Sequence, residues 1–553
     1  MKNSVAPTLQ RLAWCLCLSG LLLFPAALQA GQHPTMTTHV PEAVSTRQAP
    51  LVGHLPSTQR LSLAISLPLP YEADLDDLLQ QIYDPQSPSY RHYLSVVEFA
   101  ARFGPSEAGY AAVLNFARAH GLTVIDPAAN RMVLDVEGPA ENIEKAFHVT
   151  LGVYQHPTEN RTFYAPDREP TLDLDVPLLH ISGLDNFTLP HSKIIRPVQK
   201  AVAKNLGTGS GPGGNYIGSD LRDAYYGSGP LTGQGQAIAL VEFGGYDLYD
   251  VQNYFHQVQE PLNVPVRGVS VNGVKVACKF PYNCYDIEQS VDIETAISMA
   301  PGLSEVIVYV GHNDISIFNR MAVDNAAQQI SCSWGWSDDE SSLDPILKQM
   351  AAQGQSVFVA TGDYGSSSPL VWPADDPYVT GVGGTNLTTT GPGGAWLAEN
   401  GWYGSAGNFA KNGLAIPAYQ QLPGVIDVLN QGSRKWRNYP DVAAEAQEDM
   451  FFCFEDFCSG RVGGTSVATP EWAGIIAMAN EQAAANGKPP LGFLNPSLYR
   501  IGIGSSYDSD FHDITSGSNG GYTAVVGYDL VTGWGSPNGP SLIDALAGSG
   551  ANQ

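Results

Sequence analysis

Apolar and polar positions follow two alternating periods in the first third of the chain. From Arg60 to Leu67, leucine or isoleucine occupies every second position, which predicts a strand with one buried face. From Ser106 to His120, large apolar residues recur three and four positions apart, which predicts an amphipathic helix. The same patterns predict a compact α+β unit completed by strands 122–125, 132–136 and 149–154 and by helices 74–83, 96–103 and 139–147.

The chain after about Tyr216 has a different pattern, in which short apolar runs are bounded by glycine and separated by helical intervals. Strands that alternate with helices predict a mainly parallel sheet covered on both faces. Functional groups of such sheets gather at the carboxyl ends of the strands, where this sequence has Glu242, His312, Trp334 and Asp363. The predicted strands are 237–243, 305–310, 329–334, 356–360 and 378–382.

The amino-terminal segment predicts export. Residues 1–30 combine Lys2 and Arg11 with a long apolar run, which is typical of a secretory signal cleaved near Ala30. No later run is long enough to span a bilayer, so we expect an extracellular or periplasmic protein without a membrane anchor after signal removal. Residues 31–60 are rich in proline, threonine, histidine and glutamine and predict a flexible lead-in.

A linker separates the two patterned regions. Residues 191–215 are basic in their first half and glycine-rich in their second half, a composition typical of a flexible connection. We therefore expect an α+β domain over residues 61–190 and an α/β domain over residues 216–550.

Charge excludes two classes of partner. The chain has 28 basic and 54 acidic residues, with a formal net charge of −26. Such an excess of negative charge argues against nucleic acid and against anionic membranes. An acidic medium would protonate many of these carboxylates and reduce their mutual repulsion, so the composition is compatible with life at low pH.

The cysteine spacing predicts two short disulfide loops. Five of the seven cysteines follow the signal, and Cys278 with Cys284 and Cys453 with Cys458 are spaced as candidate pairs for an oxidising compartment. Cys332 is left over inside an apolar run, which predicts a buried free thiol.

A nucleophile is predicted at the start of a helix. The stretch Gly463-Gly464-Thr465-Ser466 precedes an apolar run with Pro470 in its first turn. Glycine permits close approach of the backbone to a substrate, and the unpaired N–H groups of a helix start stabilise developing negative charge. These features suit acyl transfer on Ser466, whereas the simpler interpretation is an N-cap on a buried helix.

The base for this serine is not an obvious histidine. His256 and His312 lack the sequence context of a subtilisin histidine, and no Gly-x-Ser-x-Gly elbow is present. Residues 286–300 predict a helix that places Glu288 and Asp292 four residues apart on one face. The alternative is a solvated acidic face, and the pattern alone favours that interpretation.

Several segments in a fixed order resemble the sedolisin family of serine-carboxyl peptidases. In the α/β region they are Glu242 in 240–246, Glu288 with Asp292, Ser333-Trp334-Gly335, Ala360-Thr361-Gly362-Asp363-Tyr364-Gly365 and Gly463-Gly464-Thr465-Ser466. The α+β region resembles the pro-kumamolisin-type activation domain in Pro85-x-Ser87-Pro88-x-Tyr90-x-x-Tyr93-Leu94, Glu98-Phe99-x-x-x-Phe103 and Ile181-Ser182-Gly183-Leu184. The resemblance implies a subtilisin-like α/β catalytic domain behind a ferredoxin-like prodomain that inhibits it until the linker is cut.

The resemblance also implies a role for each site residue. Ser466 is the expected nucleophile, Glu288 the general base and acid, Asp292 its orienting partner and Asp363 the side chain of the oxyanion hole. A carboxyl base works best near its own pKa, and an aspartic acid donates to an oxyanion only when it is protonated. Both demands predict an endopeptidase that acts in acid. Glu242 and Trp334 either extend the proton network or form an ordinary pair at the strand ends.

A calcium site is expected near the carboxyl terminus. Carboxylates with turn carbonyls between them are the hard oxygen ligands that Ca²⁺ prefers. By resemblance, one ion is held by the side chains of Asp513 and Asp529 and by the carbonyls of Ile514, Val525 and Gly527, although Val525 replaces the usual glycine.

Three further expectations concern partners and activation. We expect a monomer whose partners are protein and peptide substrates and its own prodomain; the altered cleft loop 402–413 leaves side-chain preference open. The rival to an enzyme is a catalytically silent binding protein on the same scaffold. We also expect basic prosegment residues to dock on the acidic catalytic domain, with His92, His120 or His148 loosening the complex in acid and with cleavage within about 196–214.

Overall fold

The computed structural model describes residues 38–195, 208–282, 284–336, 342–369, 371–410 and 413–548, which lie in one contact-defined unit, Met36–Gln553. The predicted signal, residues 1–30, and residues 196–207 of the predicted linker fall outside the described residues. Within the described ranges, no helix combines the length and apolar character needed to cross a membrane.

The described chain contains fourteen α-helices and twenty-three strands. The helices are α1 (Glu42–Ser45), α2 (Glu72–Ile82), α3 (Val96–Arg102), α4 (Glu107–Ala119), α5 (Ala140–Phe147), α6 (Gly218–Tyr225), α7 (Leu248–Gln257), α8 (Ile287–Met299), α9 (Asp314–Asp324), α10 (Asp344–Ala352), α11 (Thr465–Ala485), α12 (Asn495–Gly502), α13 (Tyr507–Asp510) and α14 (Gly539–Ala547). The strands are β1 (Leu51–His54), β2 (Arg60–Ser66), β3 (Thr123–Pro127), β4 (Val133–Pro139), β5 (Leu151–Gln155), β6 (Thr162–Pro166), β7 (His180–Ser182), β8 (His191–Ser192), β9 (Ala237–Glu242), β10 (Val266–Ser270), β11 (Glu305–Val310), β12 (Gln329–Cys332), β13 (Trp334–Gly335), β14 (Ser356–Ala360), β15 (Thr380–Thr389), β16 (Trp396–Gly401), β17 (Asn408–Phe409), β18 (Asn438–Tyr439), β19 (Val442–Glu445), β20 (Met450–Phe454), β21 (Phe457–Val462), β22 (Phe511–His512) and β23 (Ser536–Pro537).

The α+β region, the expected prodomain, is built on an antiparallel sheet with the strand order β3-β4-β2-β7. With helices between β2 and β3 and between β4 and β7, this order is the ferredoxin-like arrangement. Leu61, Leu63 and Ile65 are buried as the alternation predicts, and they share a core with α4 and α5.

The prediction of a flexible lead-in is wrong from residue 38 onwards. Residues 42–45 form α1, and β1 pairs antiparallel with β5 in a second sheet, β1-β5-β6. The buried side chain of His39 anchors the segment, because its backbone N–H and its ring nitrogen both contact a carboxylate oxygen of Glu169 (3.0 and 3.2 Å). Polar composition concealed this order, because the segment obtains its hydrogen bonds from distant residues.

The α/β region, the expected catalytic domain, is organised around a sheet of eight strands. Its order is β10-β11-β9-β12-β14-β15-β16, and β19 also pairs with β15. All pairings are parallel except that of β15 with β16. The long helix α11 packs on β12, β14, β15 and β19 and against α8, which brings the starts of both helices to the ends of the central strands.

Buried polar contacts join the prodomain to α9 and α10. The amide of Asn130 donates to Asn319 (2.7 Å) and to Gln349 (2.8 Å). The Lys348 ammonium, on the catalytic side, contacts Glu72 (2.7 Å) and Asp76 (3.1 Å) of the prodomain. In these ion pairs the basic residue belongs to the α/β region and the acidic residues belong to the α+β region. This is the reverse of the prediction, in which basic prosegment residues dock on acidic groups.

The three histidines proposed as a switch do not serve this interface. The His92 side chain is exposed, and a ring nitrogen of His120 contacts the carbonyl oxygen of Phe116 in its own helix (2.9 Å). The His148 ring contacts Thr171 of the same domain (3.2 Å). In the described ranges, none of the three contacts the catalytic domain through its ring, so the prediction fails on geometry.

Both predicted cysteine pairs are joined. Disulfides link Cys278 to Cys284 and Cys453 to Cys458. Cys332 is buried at the end of β12 and is a free thiol, and burial raises its pKa well above the ordinary value.

Candidate active site

Ser466 lies in the first turn of α11, one residue after the helix begins. The preceding Gly464 has φ +122°, a backbone conformation that residues other than glycine rarely adopt. A Cβ at this position would also clash with the carbonyl oxygen of Lys193 and would lie 2.8 Å from Oδ2 of Asp363. Glycine is therefore required here, because the Lys193 carbonyl oxygen, Asp363 Oδ2 and the Ile194 Cα all lie close to the position of a Cβ atom.

The predicted carboxylate pair is buried, so the alternative interpretation of a solvated acidic face is wrong. Every residue of α8 is buried, and Glu288 and Asp292 are 1% and 0% exposed. The Asp292 carboxylate accepts a hydrogen bond from the hydroxyl of Ser333 (2.6 Å). The hydroxyls of Ser466 and Ser192 lie close enough to Glu288 to lower its pKa, although neither Glu288 oxygen has a well-aligned partner among the described residues.

Glu242 and Trp334 extend this acidic cluster. The indole N–H of Trp334 donates to Glu242 at 3.0 Å, and Glu242 is completely buried at the end of β9. Burial raises the pKa of Glu242 well above its ordinary value, and the charges of Asp292 and Glu288 raise it further. The two residues therefore do form a pair at the strand ends, and that pair adjoins Asp292.

Asp363 lies on the other side of Ser466, in the loop after β14. Its Oδ1 accepts hydrogen bonds from the backbone N–H of Thr465 (2.9 Å) and from the Thr465 hydroxyl (3.0 Å). The start of α11 thus fixes the carboxyl group, with Oδ2 towards Gly464. Burial raises the pKa of Asp363 to about 7, so the group is protonated and able to donate in acid.

Desolvation also governs the proton affinity of the carboxylate pair. Burial and the neighbouring Asp292 charge raise the pKa of Glu288 well above its ordinary value. Burial raises the pKa of Asp292 to about 7. Carboxyl groups in one dry cluster cannot all ionise, so they share protons, which is what proton transfer to and from a hydroxyl requires.

The beginning of the predicted linker lies across this cluster. Strand β8 pairs antiparallel with β13, so that Ser192 lies opposite Trp334. The N–H of Lys193 then donates to the carbonyl oxygen of Ser333 at 3.0 Å. An extended segment that adds to a strand in this way has the geometry of a bound peptide.

The carbonyl group of Lys193 points into the start of α11. Its oxygen accepts a hydrogen bond from the backbone N–H of Ser466 at 3.1 Å, and further along the N–H of Ile195 donates to Gly463 at 2.7 Å. In serine peptidases the N–H of the nucleophilic serine is a standard oxyanion donor, so the Lys193 carbonyl lies where a nucleophile at Ser466 would place a carbonyl under attack. Linker composition alone does not predict the path of this segment, so Lys193 is not among the site residues predicted from the sequence.

Comparisons with known proteins decide the family. Profiles described as "Pro-kumamolisin, activation domain" and "Subtilase family" match residues 47–187 and 274–491. Kumamolisin from Bacillus sp. (strain MN-32) is 30% identical over 544 residues, which cover 90% of this chain and 94% of that protein. The chain belongs to the sedolisin family. It is therefore a serine-type peptidase with an activation prodomain, and the subtilisin-like fold prediction is confirmed.

Other sedolisin-family relatives agree along nearly the whole length. Sedolisin from Pseudomonas sp. (strain 101) is 28% identical over 559 residues, 93% of this chain and 91% of that protein. Tripeptidyl-peptidase 1 from Rattus norvegicus is 27% identical over 580 residues, 92% of this chain and 96% of that protein. The solved structure of Pseudomonas sedolisin, a serine-carboxyl proteinase complexed with two molecules of pseudo-iodotyrostatin, has a TM-score of 0.51 and 25% identity, and covers 60% of this chain and 97% of that chain.

The histidine alternatives do not fit this sedolisin-family site. His256 and His312 are exposed, whereas Ser466 is fully buried. In the described part of the chain, neither imidazole contacts Ser466, and the carboxyl group of Glu288 lies beside the serine instead.

The residues predicted to hold calcium surround one turn. The N–H groups of Gly527 and Val525 donate to Asp513 Oδ1 (3.1 Å) and to Asp529 Oδ2 (2.9 Å), so both carboxylates adjoin this turn. Asp529 is completely buried, and it accepts hydrogen bonds from neutral donors, the N–H groups of Val525, Val531 and Thr532 and the Thr532 hydroxyl. Two carboxylates beside turn carbonyls fit a Ca²⁺ ion, which would supply the missing positive charge. Val525 has no positive φ, so its β-branched side chain is compatible with the turn.

Two other groups of acidic and sulfur side chains are poorer metal sites. In the cluster of Cys278, Cys284 and Asp286, both sulfurs are committed to the disulfide. In the cluster of Asp247, Asp250 and Asp456, the ammonium of Lys279 already lies 3.0 Å from Asp247 and 3.3 Å from Asp456.

Proposed function

We propose that this sedolisin-family peptidase is exported as a zymogen and, once activated, acts in acid as a monomeric endopeptidase on proteins and peptides. Ser466 is the nucleophile, Glu288 and Asp292 transfer its proton, and Asp363 completes the oxyanion hole. The observation that carries the proposal is the Lys193 carbonyl, which accepts from the N–H of Ser466 at 3.1 Å. The apolar run within residues 1–30 supports export to the periplasm or the extracellular space.

Each group has a defined task in the proposed reaction. Glu288 takes the proton of the Ser466 hydroxyl as its oxygen attacks the substrate carbonyl, and later returns a proton to the leaving amine. Asp292 and the Ser333 hydroxyl hold Glu288 in position and share its charge through the buried cluster. The N–H of Ser466 and the protonated Asp363 stabilise the oxyanion, and water then hydrolyses the acyl-enzyme.

The protonation states set the sign of the pH dependence. Glu288 must lose its proton to act as a base, so activity falls as the pH drops below its pKa. Asp363 must keep its proton to donate, so activity falls as the pH rises through a value of about 7 in the closed precursor. When the prodomain leaves, water enters the cleft and both pKa values move towards those of ordinary carboxyl groups, which shifts the active range further into acid.

A digestion profile tests the proposal. Activated protein is incubated with casein or haemoglobin from about pH 2 to about pH 8, and new amino groups are measured. We expect a maximum in acid and little cleavage at neutral pH. No hydrolysis at any pH, with the protein folded and the prodomain removed, would instead support the catalytically silent binding protein.

We further propose that one Ca²⁺ ion stabilises the catalytic domain through Asp513, Asp529 and the carbonyls of Ile514, Val525 and Gly527. A ligand bound only by the folded state raises stability by mass action. Chelator at neutral pH should therefore lower the melting temperature of the wild type, and Asp513→Ala should lower it without chelator and abolish the response to chelator.

Asp508→Ala provides the control for the calcium prediction. Asp508 is an exposed acid close in sequence to Asp513 and outside the proposed ligand set. This variant should respond to chelator as the wild type does. A wild-type melting temperature that is the same with chelator and with added Ca²⁺ would contradict the site.

A further inference from the structure

A cavity of about 440 Å³ lies between the prodomain and the helices α12 and α14. The prodomain contributes Pro85, Tyr90 and Arg91, and the α/β region contributes residues between 497 and 506 and the last turn of α14. In the described part of the chain, the lining includes none of the residues proposed for catalysis or for calcium binding. The cavity is therefore formed by the closed precursor, and the proposed function gives it no role.

The charged groups of this cavity are both positive. Among the described residues, its charged lining side chains are Arg91 from the prodomain and Arg500 from α12, and the lining has no carboxylate. The whole chain has 28 basic against 54 acidic residues, so two arginines without an acid are the reverse of the general composition. A positively charged cavity attracts an anion.

Arg91 is nearly buried and has only neutral partners. It is 8% exposed, and its guanidinium donates a hydrogen bond to the carbonyl oxygen of Leu546 at 3.2 Å. The guanidinium carbon also lies 5.1 Å from the centre of the Tyr90 ring. A carbonyl oxygen and an aromatic ring do not balance a full positive charge, and a buried charge without an opposite charge is strongly disfavoured. An anion beside Arg91 would remove this cost.

Arg500 lines the same cavity and also contacts neutral groups. Two of its guanidinium nitrogens donate to the carbonyl oxygen of Tyr83 at 3.3 Å, and one donates to the Ser497 hydroxyl at 3.4 Å. Burial lowers the pKa of Arg500 and the charge of Arg91 lowers it further, although Asp84 acts in the opposite direction. Asp84 is exposed and does not line the cavity. In the described ranges, neither arginine forms an ion pair with a carboxylate.

We propose that this cavity binds one sulfate or phosphate group between Arg91 and Arg500, and that the bound anion holds the prodomain on the α/β region. Guanidinium groups bind such oxyanions through pairs of parallel N–H donors. The anion replaces the repulsion between two arginines by the attraction of both to one group. Binding does not depend on the proposed peptidase activity, and only its effect on activation does.

The first test measures binding to the full-length precursor at neutral pH, where we expect little cleavage. Isothermal titration with sodium sulfate should give one site per chain. Sulfate at about a hundred times its dissociation constant should raise the melting temperature by about 2 °C, because the ligand binds only the folded state. Sodium chloride of equal ionic strength is the reference, and saturation separates the site from the general stabilising effect of sulfate, which does not saturate.

Substitutions of the two arginines test the assignment of the site. Arg91→Gln and Arg500→Gln should each reduce the affinity for sulfate at least about tenfold, because each removes one of the two charged donors. Arg118→Gln, at an exposed arginine of α4, should bind sulfate as the wild type does. The two variants change different regions of the chain, so one remains informative if the other does not fold.

Glycerol 3-phosphate distinguishes two sources of the oxyanion group, a free inorganic ion and the phosphate of a larger molecule. Tighter binding of glycerol 3-phosphate than of sulfate and inorganic phosphate would assign the cavity to a phosphate monoester. Equal or weaker binding would assign it to the free ion. Both results support the site, provided that Arg91→Gln weakens the binding.

The consequence for activation is measured in acid. Precursor is acidified with saturating sulfate or with sodium chloride of equal ionic strength, and its conversion is followed by gel. We expect sulfate to slow the conversion of the wild type at least about threefold, because the anion favours the closed form, and to leave the rate of Arg91→Gln unchanged. Activated protein lacks Arg91 and should no longer bind sulfate.

The outcomes separate this inference from the proposed function. A precursor that never converts contradicts the proposed function, and titration of that precursor still decides whether the anion binds. Absence of saturable sulfate binding to the wild type, or equal binding by the wild type and both glutamine variants, overturns the site. Unchanged binding after removal of the prodomain, or equal conversion rates with and without sulfate, overturns the bridge between the two regions.

Discussion

Ser466→Ala should abolish hydrolysis and leave the precursor as a single chain in acid. Ser466 is the proposed nucleophile that forms the acyl-enzyme, and loss of a nucleophile from a catalytic unit costs about 10⁴-fold to 10⁶-fold in turnover. Conversion of the precursor should stop as well, because we expect removal of the prodomain to use the same nucleophile. Conversion is followed by gel at acid pH, and turnover is measured with casein.

A second serine provides the control for this loss. Ser331 is as fully buried as Ser466, lies on β12, and its hydroxyl has no hydrogen-bond partner among the described residues. Ser331→Ala should therefore convert and hydrolyse at close to the wild-type rate. If the two variants had similar activity, or if Ser466→Ala still converted by a reaction first order in precursor, Ser466 would not be the nucleophile.

The sequence predicted the repetitive parts of the fold well, because glycine punctuates them. Runs 305–310 and 356–360 coincide with β11 and β14, and the helix predicted over 286–300 is α8 within one residue at each end. The strands that were missed lack such a signal. The short β19, Val442–Glu445, is half alanine and obtains its stability from pairing with β15, which is distant in sequence.

The environment of α8 could not be read from its pattern. Seven of its thirteen residues are polar, so no apolar stripe distinguishes a buried face from an exposed one, yet all thirteen are buried. The polar residues are Glu288, Gln289, Ser290, Asp292, Glu294, Thr295 and Ser298. Amphipathic periodicity predicts which face of a helix is buried only when one face meets water. The resemblance to a family supplied the interpretation that the period alone could not give.

Lys193 shows a second limit of sequence reasoning. Its neighbours have a basic, glycine-rich composition that predicts a connection between domains, but composition carries no information on where a connection runs. The position of Lys193 depends on backbone hydrogen bonds to Ser333 and Ser466, two residues more than 130 positions away in sequence. Such contacts are determined by tertiary structure.

Glu288→Gln should reduce kcat and kcat/KM by several orders of magnitude, about 10⁴-fold by analogy with the loss of a base from a catalytic unit. Glutamine preserves the shape of the side chain but cannot take the proton of Ser466. In this variant the Ser466 hydroxyl must attack without a base, so the acid limb of the pH profile, which reports the ionisation of Glu288, should disappear from the residual activity.

Glu294→Gln is the matched control, because Glu294 lies on the same helix, is equally buried, and has its pKa raised by burial, but accepts its hydrogen bond from the N–H of Cys453. Residual turnover of Glu288→Gln within about tenfold of wild type, or an equal loss in Glu294→Gln, would show that the carboxylate of Glu288 is not the base and that α8 contributes through its packing.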